Sequence, residues 1–491
     1  MASPLKQIHK SSFIKYLVLA LSGALSVVAF SPFDIKVIIL LSLAILIYSI
    51  ANSINYIEAF KRSLAWGLGY WIAGTGWLIV SIHFYGKTNL SISILIILLM
   101  GIMLSLVFIT PISLIKLLKP SKNIFIMSLL FASFLTILEL SRFILLGGFP
   151  WLLPGLTLLD TLLQSLISII GVYGGSFLIY FLSAFLAFSY ILRNKIYLSL
   201  GILSVLIFFP QNNFHQEYSD KSIEVGIIQP SLDPFKKFQE DEAMNIEETL
   251  LNLSKKHSNT DLIIWPESPF PYLNSSPEMT TLLSKTDKFP TIMSGTWEYN
   301  NNRLFNALTL LGTNQSYYKR HLVPFGEYVP FERIIRGLIE FFDLPMSSIT
   351  QGRSKQELFN IKEFKVLGMI CFDVAFPLSF IEETKNADFI VNVSNDTWFG
   401  SSYGPYQHLQ IVRARALEAN KWIIRGTSDG ISTIVDNKGT IVNLLPKGVK
   451  SSISGKVYKN NEVSYFYIFG YYIIPLLSIF ALVSIIILRL R

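Results

Sequence analysis

Lys365-Val-Leu-Gly-Met-Ile-Cys-Phe-Asp-Val374 is a short apolar run that reaches the only cysteine of the chain, Cys371. Its length and its aliphatic residues predict a buried strand over Val366–Cys371. In α/β proteins the carboxyl ends of such strands line the crevice in which sites are usually found. Cys371 is therefore a candidate nucleophile, although a free cysteine is also commonly just a small buried hydrophobic residue.

Similar runs on both sides of this one predict a layered α/β domain. The further predicted strands are Ile223–Ile228, Leu262–Trp265, Thr291–Thr296, Ala307–Leu311, Phe389–Val393, Trp422–Gly426 and Ser432–Val435. Helical patterns lie between several of them, as at Asp241–Lys256 and Pro405–Ala419. Strands that alternate with helices favour an α/β fold.

The N-terminal part of the chain has a very different composition. The 491 residues are 51% hydrophobic and 15% charged, whereas soluble domains carry roughly 25% charged residues. Only 14 of the 74 Asp, Glu, Lys and Arg residues lie between Tyr16 and Pro210. This composition excludes a single soluble domain and also excludes disorder, which requires low hydrophobicity. The net charge of +8 is better explained by membrane topology than by a nucleic-acid partner, and no such partner is expected.

Apolar runs long enough to cross a bilayer need about 20 residues, and eight are predicted. They lie near 13–31, 35–54, 63–83, 90–114, 124–146, 162–192, 196–210 and 465–491. With a cytoplasmic N-terminus, the inner flanks hold twelve Lys or Arg residues and the short outer flanks hold three, which agrees with the positive-inside rule. The predicted domains are a seven-helix membrane domain over 1–210, an extracytoplasmic domain over 211–464 and a final membrane helix over 465–491.

Two further residues are candidates for chemistry in the predicted α/β domain. Glu267 follows the strand in Asp261-Leu-Ile-Ile-Trp-Pro-Glu267, where partial shielding from water would suit a general base; an ordinary solvated strand end is the alternative. Lys319 lies in Tyr317-Tyr-Lys-Arg-His-Leu-Val-Pro-Phe-Gly-Glu327. It could stabilise an oxyanion, although lysines usually just cover a surface.

Metal and cofactor sites are not expected. The sequence contains no HExxH motif, no CxxC motif and no Gly-rich phosphate loop, and its six histidines do not cluster. One cysteine also leaves no intrachain disulfide.

Taken together, the segments around Glu267, Lys319 and Cys371 resemble the nitrilase (carbon–nitrogen hydrolase) superfamily. Its members use a Glu–Lys–Cys triad on an αββα sandwich. The resemblance implies that Glu267 is the base, Lys319 the stabilising cation and Cys371 the nucleophile. By itself it would suggest an amidase or a nitrilase.

The membrane half narrows the resemblance to the bacterial apolipoprotein N-acyltransferases. Seven spans before such a domain and one after it are typical of that family. Five further motifs agree: Glu139-Leu-Ser-Arg142, Gly148-Phe-Pro-Trp151, Leu322-Val-Pro-Phe-Gly-Glu-Tyr-Val-Pro330, Asn392-Val-Ser-Asn-Asp-Thr-Trp-Phe-Gly400 and Gly404-Pro-Tyr-Gln-His408.

This resemblance implies transfer of an acyl chain from a phospholipid to the N-terminal amine of a diacylglyceryl-cysteine apolipoprotein. The acyl chain would pass through a thioester on Cys371. The backbone N–H of Phe372 would help to hold the oxyanion, while Glu327 and Asp373 would orient Lys319 or the amine. The implied location is the bacterial inner membrane, multi-pass, with the catalytic domain on the periplasmic side.

A thioester must be kept from water, and the sequence offers candidates for a lipid-facing entrance. Phe331–Met346 is unusually apolar and is interpreted as a lid that enters the lipid interface with Phe341 and Phe342; a core helix is the alternative. Trp398 and Phe399 could line the same entrance or belong to the core.

Two positions depart from the family pattern. Members often have Trp where this chain has Phe238, a candidate for substrate binding, and Glu where it has Asp373. The departures leave the supporting roles of both residues open, but not the triad.

Two other functions remain open from sequence. A membrane-tethered amidase would use the same triad with water as acceptor, although one anchor would then suffice. A transporter or receptor would need a polar site within its spans, and only Glu139 and Arg142 suggest one. Their mutual pairing on one helix face is the preferred interpretation.

Overall fold

The computed structural model describes residues 4–119, 121–210, 219–233, 236–239, 242–328 and 348–490. The described residues form two compact units. One comprises those within 1–79, 89–212 and 468–491, and the other those within 80–88 and 213–467. The grouping of 80–88 with the second unit was not predicted from the sequence.

The first unit is helical. Its helices are α1 (Pro4–Leu25), α2 (Val37–Ala51), α3 (Tyr56–Thr75), α4 (Leu90–Phe108), α5 (Ile124–Ser141), α6 (Ile167–Ile191), α7 (Lys195–Leu203) and, after the second unit, α12 (Tyr471–Leu490). Asparagine side chains begin several of them by accepting a backbone N–H of the first turn, which would otherwise lack a partner. These caps are Asn55, Asn89, Asn123 and Asn194.

Four helical segments of the described chain have the length and composition to cross a membrane. They are Leu90–Leu117, Ile124–Ser141, Gln164–Ile191 and Phe466–Leu488, and each overlaps a predicted span. Shorter apolar helices lie at Phe13–Ala29, Val37–Ala51 and Lys195–Phe208. Several membrane-compatible helices are therefore present, while the total of eight spans stays a prediction.

The second unit contains two six-stranded sheets. The strands are β1 (Ser222–Gln229), β2 (Leu262–Ile264), β3 (Thr291–Asn300), β4 (Arg303–Leu310), β5 (Ser316–Tyr318), β6 (Phe359–Ile361), β7 (Phe364–Ile370), β8 (Phe389–Ser394), β9 (Ile423–Thr427), β10 (Ser432–Val435), β11 (Ile441–Leu445) and β12 (Ser451–Tyr458). The first sheet has the order β12-β1-β2-β3-β4-β5 and the second the order β11-β10-β9-β8-β7-β6.

The two sheets pack face to face, with helices on the outside. Close packing between them depends on Gly426 of β9, where an added Cβ would lie 2.8 Å from Ile264 of β2. The outer face of the first sheet is covered by α8 (Glu242–Ser254) and α9 (Pro277–Thr286) through a buried apolar cluster. Helices α10 (Ile381–Asn386) and α11 (Gly404–Ala419) belong to the half of the domain that contains the second sheet. The predicted α/β sandwich is therefore confirmed.

All eight strands predicted from the sequence are present, with ends that differ by a few residues. Among the described residues, the strands that were missed are β5, β6, β11 and β12. Strands β5 and β6 have three residues each, which is too short for a periodic signal. Most residues of the edge strands β11 and β12 are partly or fully exposed. The polar residues within them interrupt the continuous apolar run that was used to find the other strands.

Candidate active site

Glu267 lies in a turn directly after β2 and is almost buried, at 7% exposure. Its Oε1 accepts from Asn306 Nδ2 at 2.7 Å and from Lys319 Nζ at 3.2 Å, and its Oε2 accepts from the N–H of Asn395 at 2.8 Å. This turn can pack against β3 only because Gly295 lies opposite it. A Cβ added at Gly295 would lie 2.2 Å from the backbone nitrogen of Ser268, the residue after Glu267. The carboxylate is therefore shielded and held in one orientation.

Lys319 follows β5 and is 1% exposed. Its Nζ donates to Glu327 Oε1 at 2.8 Å as well as to Glu267. Burial opposes the charged ammonium, but the two glutamates overcome this effect and hold the pKa of Lys319 well above its ordinary value. The lysine is thus a permanent buried cation between two carboxylates.

Asn306 of β4 completes this arrangement and was not predicted. Its Nδ2 donates to Oε1 of both Glu267 and Glu327. Glu327 is fixed further by the N–H of Val323, which donates to Oε2 at 2.8 Å. An asparagine in the middle of a strand carries no distinctive pattern, so only the tertiary structure identifies it.

Cys371 follows β7 directly and has the left-handed backbone φ of 50°. Such a conformation costs a non-glycine residue about 1–2 kcal/mol and is typical of functional turns. Burial, and then the charge of Glu267, raises the pKa of the Cys371 thiol far above its ordinary value, while Lys319 acts in the opposite direction. The resting thiol is therefore neutral and must lose its proton as it reacts.

These side chains can perform nucleophilic acyl chemistry. A carboxylate coupled to the thiol can receive its proton, and a fixed cation beside both can stabilise the negative charge that develops on an attacked carbonyl oxygen. Glu267 and Lys319 contact each other, and both act electrostatically on the Cys371 thiol; the triad itself stays a prediction.

Asp373 has a different environment from the one expected. Its carboxylate accepts from the N–H groups of Arg320, His321 and Ile370 and from the Tyr317 hydroxyl. It therefore joins the strand end that carries the lysine to the turn that carries the cysteine. The Asp373 carboxyl is also coupled electrostatically to Lys319.

The predicted oxyanion donor Phe372 and the predicted substrate-binding residues lie in varied settings. Phe372 is 8% exposed and contacts Phe376 edge-on, whereas Phe238 is 52% exposed. Trp398 contacts Tyr85 edge-on at 5.6 Å.

Phe399 contacts His408 edge-on at 6.4 Å. The segment 80–88 anchors the Trp398 turn, since the hydroxyl of Ser81 donates to the Trp398 carbonyl at 2.7 Å. The whole predicted lid, Phe331–Met346, lies outside the described residues, and Phe341 and Phe342 lie outside them with it.

A second polar cluster that the sequence did not predict lies beside Cys371. It consists of Asp396, His408 and Arg425, each at most 1% exposed. Donor atoms of Cys371, Asp396 and His408 all lie within 4.8 Å of one another, which is close enough for a metal ion. However, Arg425 Nη2 already lies 2.7 Å from Asp396 Oδ2, and a guanidinium inside the set repels a second cation.

In the helical unit, Glu139 and Arg142 are both buried but have separate partners. The Tyr180 hydroxyl donates to Glu139 Oε2 at 2.6 Å. The guanidinium of Arg142 lies 4.8 Å from the Trp71 ring centroid and donates to the carbonyl of Trp151 at 3.3 Å. The interpretation that the two side chains pair directly with each other is therefore wrong.

Two family models match the chain. The model described as apolipoprotein N-acyltransferase N-terminal domain matches residues 22–185, and that of carbon-nitrogen hydrolase matches residues 224–457. Proteins named apolipoprotein N-acyltransferase are similar over nearly the full length. The one from Pseudomonas syringae pv. tomato is 32% identical and covers 90% of each chain. The one from Pasteurella multocida is 31% identical over 95% of this chain and 94% of its own.

Solved structures match the second half. A member of branch 10 of the nitrilase superfamily from Saccharomyces cerevisiae has 18% identity and a TM-score of 0.37, covering 48% of this chain and 90% of its own. A carbon-nitrogen hydrolase from Helicobacter pylori has 18% identity and a TM-score of 0.36, covering 48% and 89%.

Proposed function

The chain belongs to the apolipoprotein N-acyltransferase family and is therefore an acyltransferase of lipoprotein N-acylation; we propose that it takes the acyl chain from a phospholipid and carries it as a thioester on Cys371. The observation that supports this assignment is the buried arrangement of Lys319 between Glu267 and Glu327, electrostatically coupled to the only thiol of the chain.

In the first half-reaction, Cys371 Sγ attacks the ester carbonyl of the phospholipid while Glu267 takes the thiol proton. The resulting oxyanion is stabilised by Lys319 Nζ and by the N–H of Phe372. The C–O bond then breaks, the lysophospholipid oxygen receives the proton from Glu267, and a thioester remains on the enzyme.

In the second half-reaction, the N-terminal amine of the diacylglyceryl-cysteine attacks the thioester. Glu267 takes a proton from the amine, the C–S bond breaks, and the proton returns to Cys371. Two carboxylates around one ammonium give the resting site a net negative charge, which favours a cationic acceptor over an anionic one. The acceptor ammonium releases its extra proton to solvent before the neutral amine attacks.

The thioester must be protected from water between the two steps. The burial of Lys319, Glu267 and Glu327 supports a dry site. We assign the lipid entrance to Trp398, Phe399 and Phe238, with the Phe341 and Phe342 segment as its lid; these roles rest on the apolar character of the residues. No cofactor enters this mechanism.

The proposed location is the bacterial inner membrane, with the catalytic unit on the periplasmic side. The distribution of Lys and Arg in the short loops supports this orientation, and the membrane-compatible helices support a multi-pass protein.

Mass spectrometry of the purified full chain tests the thioester. After incubation with phospholipid of one acyl composition, the mass should increase by one acyl group, and hydroxylamine should remove it. Adding a diacylglyceryl-cysteine peptide should transfer the acyl group to the peptide amine. Cys371→Ala is the control that should gain no mass.

The outcomes also separate this function from the amidase alternative. Discharge of the acyl group to water at the same rate with and without the peptide would indicate a hydrolase. An unchanged acyl gain in the Cys371→Ala variant, or no gain in the wild-type protein, would contradict the proposed thioester.

A further inference from the structure

The carbonyl oxygen of Cys371 is held by buried side chains from neighbouring elements. His408 of α11 lies with Nε2 3.2 Å from this oxygen, and Asn392 of β8 lies with Nδ2 3.5 Å from it. A carbonyl can only accept, so the His408 Nε2 must carry a proton. His408 is 1% exposed and Asn392 is fully buried.

One guanidinium organises both donors. Arg425 of β9 pairs with Asn392 across the two strands, where these residues are in register, and donates to its Oδ1. Its Nη2 also lies 2.7 Å from Asp396 Oδ2 and 3.0 Å from His408 Nδ1. His408 Nδ1 lies 3.1 Å from Asp396 Oδ1. We name Asn392, Asp396, His408 and Arg425 the carbonyl clamp.

The clamp acts on the same peptide group that the mechanism uses. The Cys371 carbonyl and the Phe372 N–H belong to one planar trans peptide, in which C=O and N–H point in opposite directions. Fixing the oxygen on one side therefore fixes the direction of the N–H on the other. Hydrogen bonds to the oxygen also polarise the peptide and strengthen its N–H as a donor.

We propose that the carbonyl clamp positions the Phe372 N–H to hold the oxyanion during acyl transfer. The inference rests on the proposed function, because it needs a tetrahedral oxyanion formed at Cys371. His408 and its partners are positioning residues, since none of them is required to touch the substrate. Their effect should be on the transition state, so kcat should fall while KM stays the same.

The left-handed backbone of Cys371 supports this role. With φ at 50°, the residue adopts a conformation that an L-residue with a side chain holds only when its surroundings stabilise it. The donor from α11 and the donor from β8 supply this support from rigid elements, which is how catalytic groups are held accurately.

Two reactions of the same thiol test the inference in the full-length protein. Acylation by p-nitrophenyl butyrate passes through a tetrahedral oxyanion and releases nitrophenolate. Alkylation by iodoacetamide forms a C–S bond and displaces iodide, with no oxyanion. His408→Phe should slow acylation by about 10- to 100-fold, close to the loss of one oxyanion donor, and should leave the alkylation rate nearly unchanged.

Conservative and matched variants separate positioning from folding. His408→Gln keeps an N–H near the position of Nε2 and should recover most of the acylation rate. His257→Phe replaces another buried histidine, 6% exposed, and should change neither reaction. If His408→Phe does not fold, His408→Asn replaces it, because the shorter amide cannot reach the Cys371 carbonyl.

Equal slowing of acylation and alkylation in the His408 variants, or slowing of neither, would overturn the inference. A wild-type protein that reacts with the nitrophenyl ester but not with phospholipid would contradict phospholipid as the acyl donor. The role of the carbonyl clamp would still be decided by the His408 variants. A wild-type protein that reacts with neither ester would overturn both.

Discussion

Replacing Lys319 by methionine tests whether the site depends on one buried cation. Methionine has a similar volume, but it removes the bonds of 2.8 Å to Glu327 and 3.2 Å to Glu267. At 1% exposure, water cannot take the place of the ammonium. Breaking a buried pair by removing one partner typically costs about 3–5 kcal/mol, which for a domain of this size lowers the thermal midpoint by on the order of 10 °C.

The assay is thermal unfolding of the full chain in detergent. Lys319→Met combined with Glu327→Gln should recover part of the midpoint, since it removes one of the two unbalanced charges.

Lys285→Met is the matched control for this experiment. Lys285 also pairs with a glutamate at 2.8 Å, but its side chain is 44% exposed, and such a pair is worth at most about 1 kcal/mol. Equal midpoints for the Lys319 and Lys285 variants, or no recovery from Glu327→Gln, would refute the electrostatic reasoning.

Three other predictions concern the thiol, the aspartate and the lid. Burial, and then the charge of Glu267, raises the pKa of the Cys371 thiol, so little thiolate forms at neutral pH. The rate of alkylation by iodoacetamide should therefore keep rising about tenfold per pH unit beyond about pH 8.5, where the rate for an ordinary thiol levels off. A plateau of this rate below that pH would contradict the raised pKa. Asp373→Asn removes the charged acceptor of the backbone N–H groups beside Lys319 and should lower the free energy of unfolding by about 2–3 kcal/mol. Chemical denaturation measures this change, and an unchanged free energy would show that the carboxylate charge is dispensable. Phe341→Ser with Phe342→Ser should reduce acyl transfer from vesicles while the thermal midpoint stays the same, and an unchanged rate would exclude the lid.

Much of the molecule follows from local patterns. The apolar runs that end at Trp265 and Cys371 predicted the strands, because burial in a sandwich requires short continuous hydrophobic segments. The same runs placed Glu267 and Cys371 at strand ends, where side chains of different strands converge. Lys319 was harder, since the three-residue strand before it carries no periodic signal. The residues around it made it a weak candidate, and the family resemblance then supported it.

The partners of these residues follow from the tertiary structure alone. Asn306 joins Glu267 and Glu327 because β3 pairs with β4 and both lie beside the turn after β2. The carbonyl clamp depends on the register of β8 with β9, which no single segment encodes.

The sequence by itself determined which segments are buried and which reactive groups end them, because hydrophobic periodicity is a local property of the chain. The tertiary structure decided which of these groups meet, because contacts between residues far apart in sequence depend on strand order, register and the helices packed against them. For the same reason, the direct pairing expected of Glu139 and Arg142 was wrong: neighbouring helices offered the hydroxyl of Tyr180 and the ring of Trp71 instead.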